Sequence, residues 1–300
     1  MASLREIRRK IKSVKSTQQI TKAMKMVAAA RMRRAQMAIL ASRPFAVKME
    51  ATVRQLALLE VAADQQAGRE VQIHPFFDQK PSGAAVLVLV TADKGLCGAF
   101  NTNLIRAAID WMRRHEGRRM LLAAVGRKGR DFLRRVREPA PTIMTELVGI
   151  FPKVGFVHAE LLGKAVIGAY LEGGASSVTV IYNEFKSVAT QRVVESQLLP
   201  IPVPVGDAQA AQASNAFGFE PRREELLEAL LPRYLKAQLY RILLESQAAE
   251  LAARMSAMDA ASKNAGELIG ALTLNLNRTR QAMITREIAE LVGGAEALAS

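Results

Sequence analysis

Residues 251–276 read LAARMSAMDAASKNAGELIGALTLNL, and this stretch decides the fold. Leu251, Met255, Met258, Ser262, Ala265, Ile269, Leu272 and Leu276 succeed one another at spacings alternating strictly between four and three. A 3.5-residue period is that of a helix keeping one apolar seam against a partner helix, as in a coiled coil. No charge falls on the seam, and Ala260, Ala261 and Gly266 beside it permit close approach. A helix in a globular bundle carries a broader apolar face, so the pattern favours a two-stranded shaft.

The partner is written at the other end of the chain. Ser3 followed by Glu6 is a capping-box pattern that starts a helix at Leu4. Leu4, Ile7, Ile11 and Val14 then repeat at 3, 4 and 3. The stripe shifts at Thr17 and resumes through Ile20, Met24 and Val27, an irregularity of the stammer kind. Pro44 is predicted to kink or interrupt this helix, after a rod of roughly 60 Å. At the C-terminal end, Pro221 with Glu224 and Glu225 reads as a helix start, and Pro232 as a second break or restart. Residues 221–290 as one helix would span about 105 Å, whereas a compact 150-residue domain has a radius of gyration of about 15 Å. The two end helices are therefore expected to pair antiparallel and to project beyond the middle of the chain.

The composition narrows the function classes. Of 300 residues, half are hydrophobic but only 5% aromatic, the aliphatic balance of a helical protein. Cys97 is the sole cysteine, which excludes an internal disulfide, and three histidines (His74, His115, His158) argue against a zinc site. No charge-free run exceeds 12 residues, too short for a membrane span. The net charge of +14 is concentrated: residues 1–37 hold eleven Lys and Arg against Glu6 alone, a net of +10. Such a start suits acidic protein surface, nucleic acid or a transit peptide. A transit peptide should be followed by an independent domain start, and none is seen. For nucleic acid, aromatic stacking residues are scarce.

Between the ends lies an α/β pattern. Ala84–Thr91 is a continuous apolar, β-branched run, a strand buried on both faces. Helices are expected over Asn101–His115, Lys128–Val136 and Ala159–Leu171. Further strands are expected over Met120–Gly126, Ser177–Phe185 and Val188–Leu199. Alternation of this kind implies a parallel, Rossmann-like sheet. The organisation is then an N-terminal coiled-coil helix (1–60), a linker (61–83), a Rossmann-like domain (84–199), a linker (200–220) and a C-terminal coiled-coil helix (221–300). The first strand-to-helix turn, Asp93-Lys94-Gly95-Leu96-Cys97-Gly98, lacks the glycine spacing of a dinucleotide loop and is not a Walker motif. Gly95 and Gly98 are assigned to turn geometry, Gly126-Arg127-Lys128-Gly129 is equally ordinary, and Cys97 is assigned to packing. No carboxylate pair, triad or metal cluster with motif-like spacing is present, so no catalytic residue, cofactor or metal is expected.

Long stretches of the ends are diagnostic. Ile7–Ala29, IRRKIKSVKSTQQITKAMKMVAA, resembles the N-terminal helix of the F-type ATP synthase gamma subunit family. Asp93–Gly98, Ala253–Met258 (ARMSAM) and Arg280–Glu290 (RQAMITREIAE) through Gly293-Gly294-Ala295 resemble its central turn, its Ala-Arg-Met block and its C-terminal signature. The resemblance covers the whole chain in order. It implies a central rotor shaft that couples rotation of a membrane c-ring, driven by protons or sodium, to conformational change in catalytic beta subunits. The implied partners are the hexamer of alpha and beta subunits, the epsilon subunit and the c-ring, with no nucleic acid. The implied place is the cytoplasmic face of a bacterial inner membrane, held peripherally. By resemblance, Met24, Lys25 and Arg254 belong to the rotor–stator contact zone. Arg280, Gln281, Thr285 and Glu287 belong to an upper segment in polar contact with surrounding loops, and the nearly uncharged tip Leu291–Leu298 to a bearing.

Overall fold

The computed structural model describes residues 3–68, 71, 73–136, 142–151, 153–203 and 222–299, with side chains to residue 294. In chain order the elements are α1 (Leu4–Gln66), β1 (Ala84–Val90), α2 (Phe100–Arg114), β2 (Met120–Val125), α3 (Arg127–Leu133), β3 (Thr142–Leu147), α4 (Phe156–Leu171), β4 (Ala175–Phe185), β5 (Gln191–Leu199) and α5 (Arg223–Ala299). By contacts the chain divides into two units, residues 1–28 with 254–300 and residues 29–253.

The α/β unit is built on β1, where every side chain from Ala84 to Val90 is buried. The alternation of a strand sends Ala84, Val86, Val88 and Val90 to one face and Ala85, Leu87 and Leu89 to the other. On the first face they meet Leu162, Val166 and Tyr170 of α4, with Val53, Leu56 and Ala57 of α1 and Leu227, Leu231, Leu235 and Leu239 of α5. On the second they meet Leu104, Ala108 and Trp111 of α2 and Leu133 of α3. Each fully buried aliphatic contributes about 1.5–3 kcal/mol, so both faces must be covered for the strand to be stable.

The sheet order is β3-β2-β1-β4-β5, parallel through β4. The expectation of a wholly parallel sheet is corrected at its edge: β5 runs antiparallel to β4, Tyr182 lying opposite Val194. Only residues 186–190 join the two strands, which allows a hairpin but not a crossover. Strand β3 was not anticipated; it is an edge strand whose side chains are half-buried at most.

The end helices are longer and less interrupted than their prolines suggest. Helix α1 runs 63 residues through Pro44 and past residue 60, and α5 runs 77 residues through Pro232. A mid-helix proline costs about 3 kcal/mol. At Pro232 the neighbours Leu231, Leu235 and Leu239 are all buried in the core, which offsets that loss. At Pro44 the helix is exposed, as is Leu40 one turn earlier, so the carbonyl deprived of its N–H lies on the solvent side. Ser3 and Glu6 form the reciprocal cap at the start of α1, Ser3 Oγ accepting from the Glu6 N–H at 3.3 Å and Glu6 Oε2 from the Ser3 N–H at 3.1 Å. Residues 204–220 of the 200–220 stretch, and Pro221 as a helix start, lie outside the described residues.

Candidate functional site

In the unit formed by residues 1–28 and 254–300, two polar contacts fix how α1 and α5 meet. Lys25 Nζ lies 2.5 Å from Asp259 Oδ1, and Gln18 Nε2 donates to the Ser262 carbonyl at 3.3 Å. As the numbering rises in α1 it falls in α5, so the helices run antiparallel. On α5, Met258 and Ala265 are buried, while Met255, Ser262, Ile269, Leu272 and Leu276 are half-buried. On α1, Ile7, Thr21 and Ala28 are buried, and Leu4, Ile11, Val14, Gln18, Met24 and Lys25 are half-buried.

These positions correct the expected shift at Thr17. Ile20 is 57% exposed and Val27 51%, so neither faces α5. The spacing instead continues unbroken from Val14 through Gln18, Thr21, Lys25 and Ala28. The apolar residues Ile20 and Val27 mislead because the true seam is polar here. Its opposite wall, at Asp259, Ser262 and Gly266, is polar or lacks a side chain.

Of the residues assigned by resemblance to rotor–stator contact, Lys25 is engaged within the chain. Asp259 binds both Lys25 and, at 3.2 Å, Lys263. Hydrogen bonds first from Lys25 and then from Lys263 hold its carboxyl below the ordinary carboxylate range. Met24 and Arg254 are half-buried. Arg280, Gln281, Thr285 and Glu287 are all exposed. With Lys25 level with Asp259, residue 280 is level with Leu4, and from Ala282 onward α5 is level with no described residue of α1.

At about 100° per residue, Arg280, just before this overhang, and Glu287 within it fall on one side of α5, and Gln281 and Thr285 on the other. Ile284, Ile288 and Leu291 lie between them, 47%, 56% and 74% exposed. The upper segment is therefore an aliphatic stripe with polar flanks. Its flanks and its tip are the residues expected above; the stripe between them is not, although its spacing 284, 288, 291 is legible in the sequence. The tip's side chains beyond residue 294, Glu296 included, lie outside the described residues.

The central turn after β1 is a structural knot. Asp93 Oδ1 accepts from the backbone N–H of Gly149 at 2.8 Å and of Arg127 at 3.0 Å, and Oδ2 from that of Phe151 at 3.2 Å. One carboxylate thus ties the loops following β1, β2 and β3. Asn101 Oδ1 accepts the Ala92 N–H, and its amide reaches Cys97 Sγ at 3.2 Å, so Cys97 is buried packing. The left-handed positions are Leu96 (φ 64°) and Gly98 (φ 56°), not Gly95. Among the described residues no three His, Cys, Asp or Glu side chains are placed to hold a metal ion.

A family profile described as ATP synthase matches residues 3–298. The ATP synthase gamma chain of Elusimicrobium minutum (strain Pei191) is 45% identical, the alignment covering 99% of each chain. That of Anaeromyxobacter sp. (strain Fw109-5) is 46% identical over 99% of this chain and 100% of the relative. Among solved structures, the central stalk and c-ring of Tetrahymena thermophila mitochondrial ATP synthase superposes with a TM-score of 0.59 at 27% identity, over 81% of this chain and 99% of that one. A chain of the Euglena gracilis mitochondrial assembly of OSCP, F1 and c-ring, at 18% identity, shares the fold with a TM-score of 0.64 over 98% and 94%. Paired terminal helices flanking a small α/β domain define the central-stalk subunit of a rotary motor. The chain belongs to the ATP synthase gamma chain family. Its part in the complex is the rotor shaft, and no helix among the described residues is long and apolar enough to cross a membrane.

Proposed function

We propose that this chain is the axle on which c-ring rotation is converted into the conformational cycle of the beta subunits, and that it carries out no chemistry itself. The supporting observation is the pairing of α1 with α5 together with the overhang from Ala282, whose aliphatic stripe is level with no described residue of α1. A hexamer of alpha and beta subunits closed around that overhang would meet an apolar surface with few directional bonds, which suits turning. The flanking charges would form exposed ion pairs of about 0–1 kcal/mol each, weak enough to break as the shaft leaves one beta subunit for the next. Epsilon and the c-ring would engage the chain away from the overhang, placing it peripherally on the cytoplasmic face of a bacterial inner membrane. The basic first 37 residues would then face acidic protein surface rather than nucleic acid.

The test is reconstitution. Alpha and beta subunits mixed with this chain should form a complex that hydrolyses ATP, while the chain alone should show no ATPase activity. Membranes rebuilt without it should lose gradient-driven ATP synthesis. Failure of the chain to enter the complex would overturn the reading.

A further inference from the structure

We infer that the polar middle of the helix pair is a register lock: Gln18 and Lys25 of α1 engage Asp259, Ser262 and Gly266 of α5 and thereby fix the axial alignment of the two helices. The rest of this seam cannot do so. Ile7, Ile11 and Val14 of α1, like Ile269, Leu272 and Leu276 of α5, repeat with the heptad. Sliding one helix by seven residues, about 10.5 Å, replaces one aliphatic contact with another and costs little beyond the shortened overlap.

The middle behaves differently. A slip of one heptad carries Lys25 about 10.5 Å from Asp259 and leaves each charge without the other. In one direction it also brings Gln18, which now reaches the Ser262 carbonyl, to the Ile269 carbonyl, which Thr273 Oγ1 already binds at 2.7 Å, and sets the Thr273 side chain where Gly266 had left room. Gly266 forms a notch for the glutamine, since a Cβ there would lie 3.0 Å from Gln18 Nε2. Thr21 is buried with its hydroxyl satisfied by the Gln18 carbonyl at 3.0 Å, so it adds no demand on α5. Polar groups at seam positions are a known means of selecting one coiled-coil register at some expense of stability. A shaft that transmits torque needs that selection, because a slipped pair would present a different length of α5 beyond α1.

Disulfide trapping in the full-length chain tests the lock, with Cys97→Ser removing the native thiol. Ile11→Cys with Leu272→Cys pairs two half-buried seam positions that are level when Lys25 is level with Asp259, and so reports the native register. Ile11→Cys with Thr279→Cys, or with Ala265→Cys, reports a slip of one heptad in either direction. With the seam otherwise unaltered, only the first pair should close under mild oxidation. In the combination Gln18→Leu, Lys25→Leu and Asp259→Leu, the slipped products should rise at least about tenfold. Exclusive closure of the native pair in that background would overturn the lock. Should the apolar variant aggregate, charge reversal decides instead. Lys25→Asp alone should raise the slipped products, and adding Asp259→Lys should suppress them; identical trapping in both would overturn the proposal equally.

Discussion

A Cβ on Gly126 would lie 2.1 Å from the carbonyl oxygen of Thr91, at a backbone φ of 87°. Two independent penalties meet at this residue, which joins β2 to α3. The left-handed conformation disfavours any side chain, and the obstructing atom is backbone that cannot swing away. Gly126→Ala should therefore destabilise the α/β unit by at least about 3 kcal/mol. Urea unfolding of the full-length chain measures this, and a loss under about 1 kcal/mol would show that the β1–β2 edge adapts.

Glu245 of α5 gives the α/β unit a pH dependence of known sign. Burial, and after it the charge of Glu184, push its carboxyl above the ordinary carboxylate range, against the opposing pull of Arg241 and the Tyr182 hydroxyl. Tyr182 is itself pushed up to about 12, chiefly by burial and then by the Glu245 charge. The folded chain thus holds the Glu245 proton more tightly than the unfolded chain does. That contribution is present in full below the unfolded value and is lost as pH rises through the folded one. Glu245→Gln should flatten stability between mildly acidic and neutral pH, and the gap between variant and parent should widen as pH rises. Parallel stability curves would refute the assignment.

The exposure of Arg280 and Gln281 separates a contact role from a structural one. Nothing in the chain depends on them among the described contacts, so Arg280→Ala with Gln281→Ala should change the stability of the isolated chain by no more than about 0.5 kcal/mol. In the assembled complex the same pair of changes should lower ATP synthesis several-fold. Unchanged synthesis and assembly would remove both residues from the contact set.

The elements most readable in the sequence were those with one physical signal. The apolar run at β1 and the strict alternation from Leu251 to Leu276 each admit a single reading. Where two signals competed, the stronger local one misled. Between Val14 and Ala28 the aliphatic Ile20 and Val27 outweighed the polar Gln18, Thr21 and Lys25 on hydropathy, yet the latter lie on the seam because α5 offers Asp259, Ser262 and Gly266 opposite. That complementarity is between segments more than 230 residues apart, and no local window contains it. Pro232 misled for the same reason, since the burial that offsets it comes from tertiary packing, whereas Pro44 is tolerated because the helix is exposed there. The half-exposed edge strand β3 has too few buried positions to stand out from a loop, and the direction of β5 is set by the length of its connection, not by its own residues. At the candidate site, the polar flanks were found through long motifs, whereas the stripe between them becomes visible only once exposure is known.

Leu272 tests whether the seam carries the shaft's rigidity. In the register set by Lys25 and Asp259 it is level with residue 12, beside Ile11, within the aliphatic part of the pair. Leu272→Asp removes an apolar contact worth up to about 1.5–3 kcal/mol and sets a charge against Ile11; the exposed Lys12 at the same level would return only about 0–1 kcal/mol, as a surface ion pair does. Helix α1 is held to α5 at this level by side chains alone, so the loss should appear as local parting of the helices. Faster backbone amide exchange near residues 4–14 of α1 and 269–280 of α5, with the α/β unit unchanged, would report it. In the complex, ATP hydrolysis should then run with reduced ion pumping, or assembly should fail. A variant that keeps full coupling and native exchange would show that the helices are held together elsewhere.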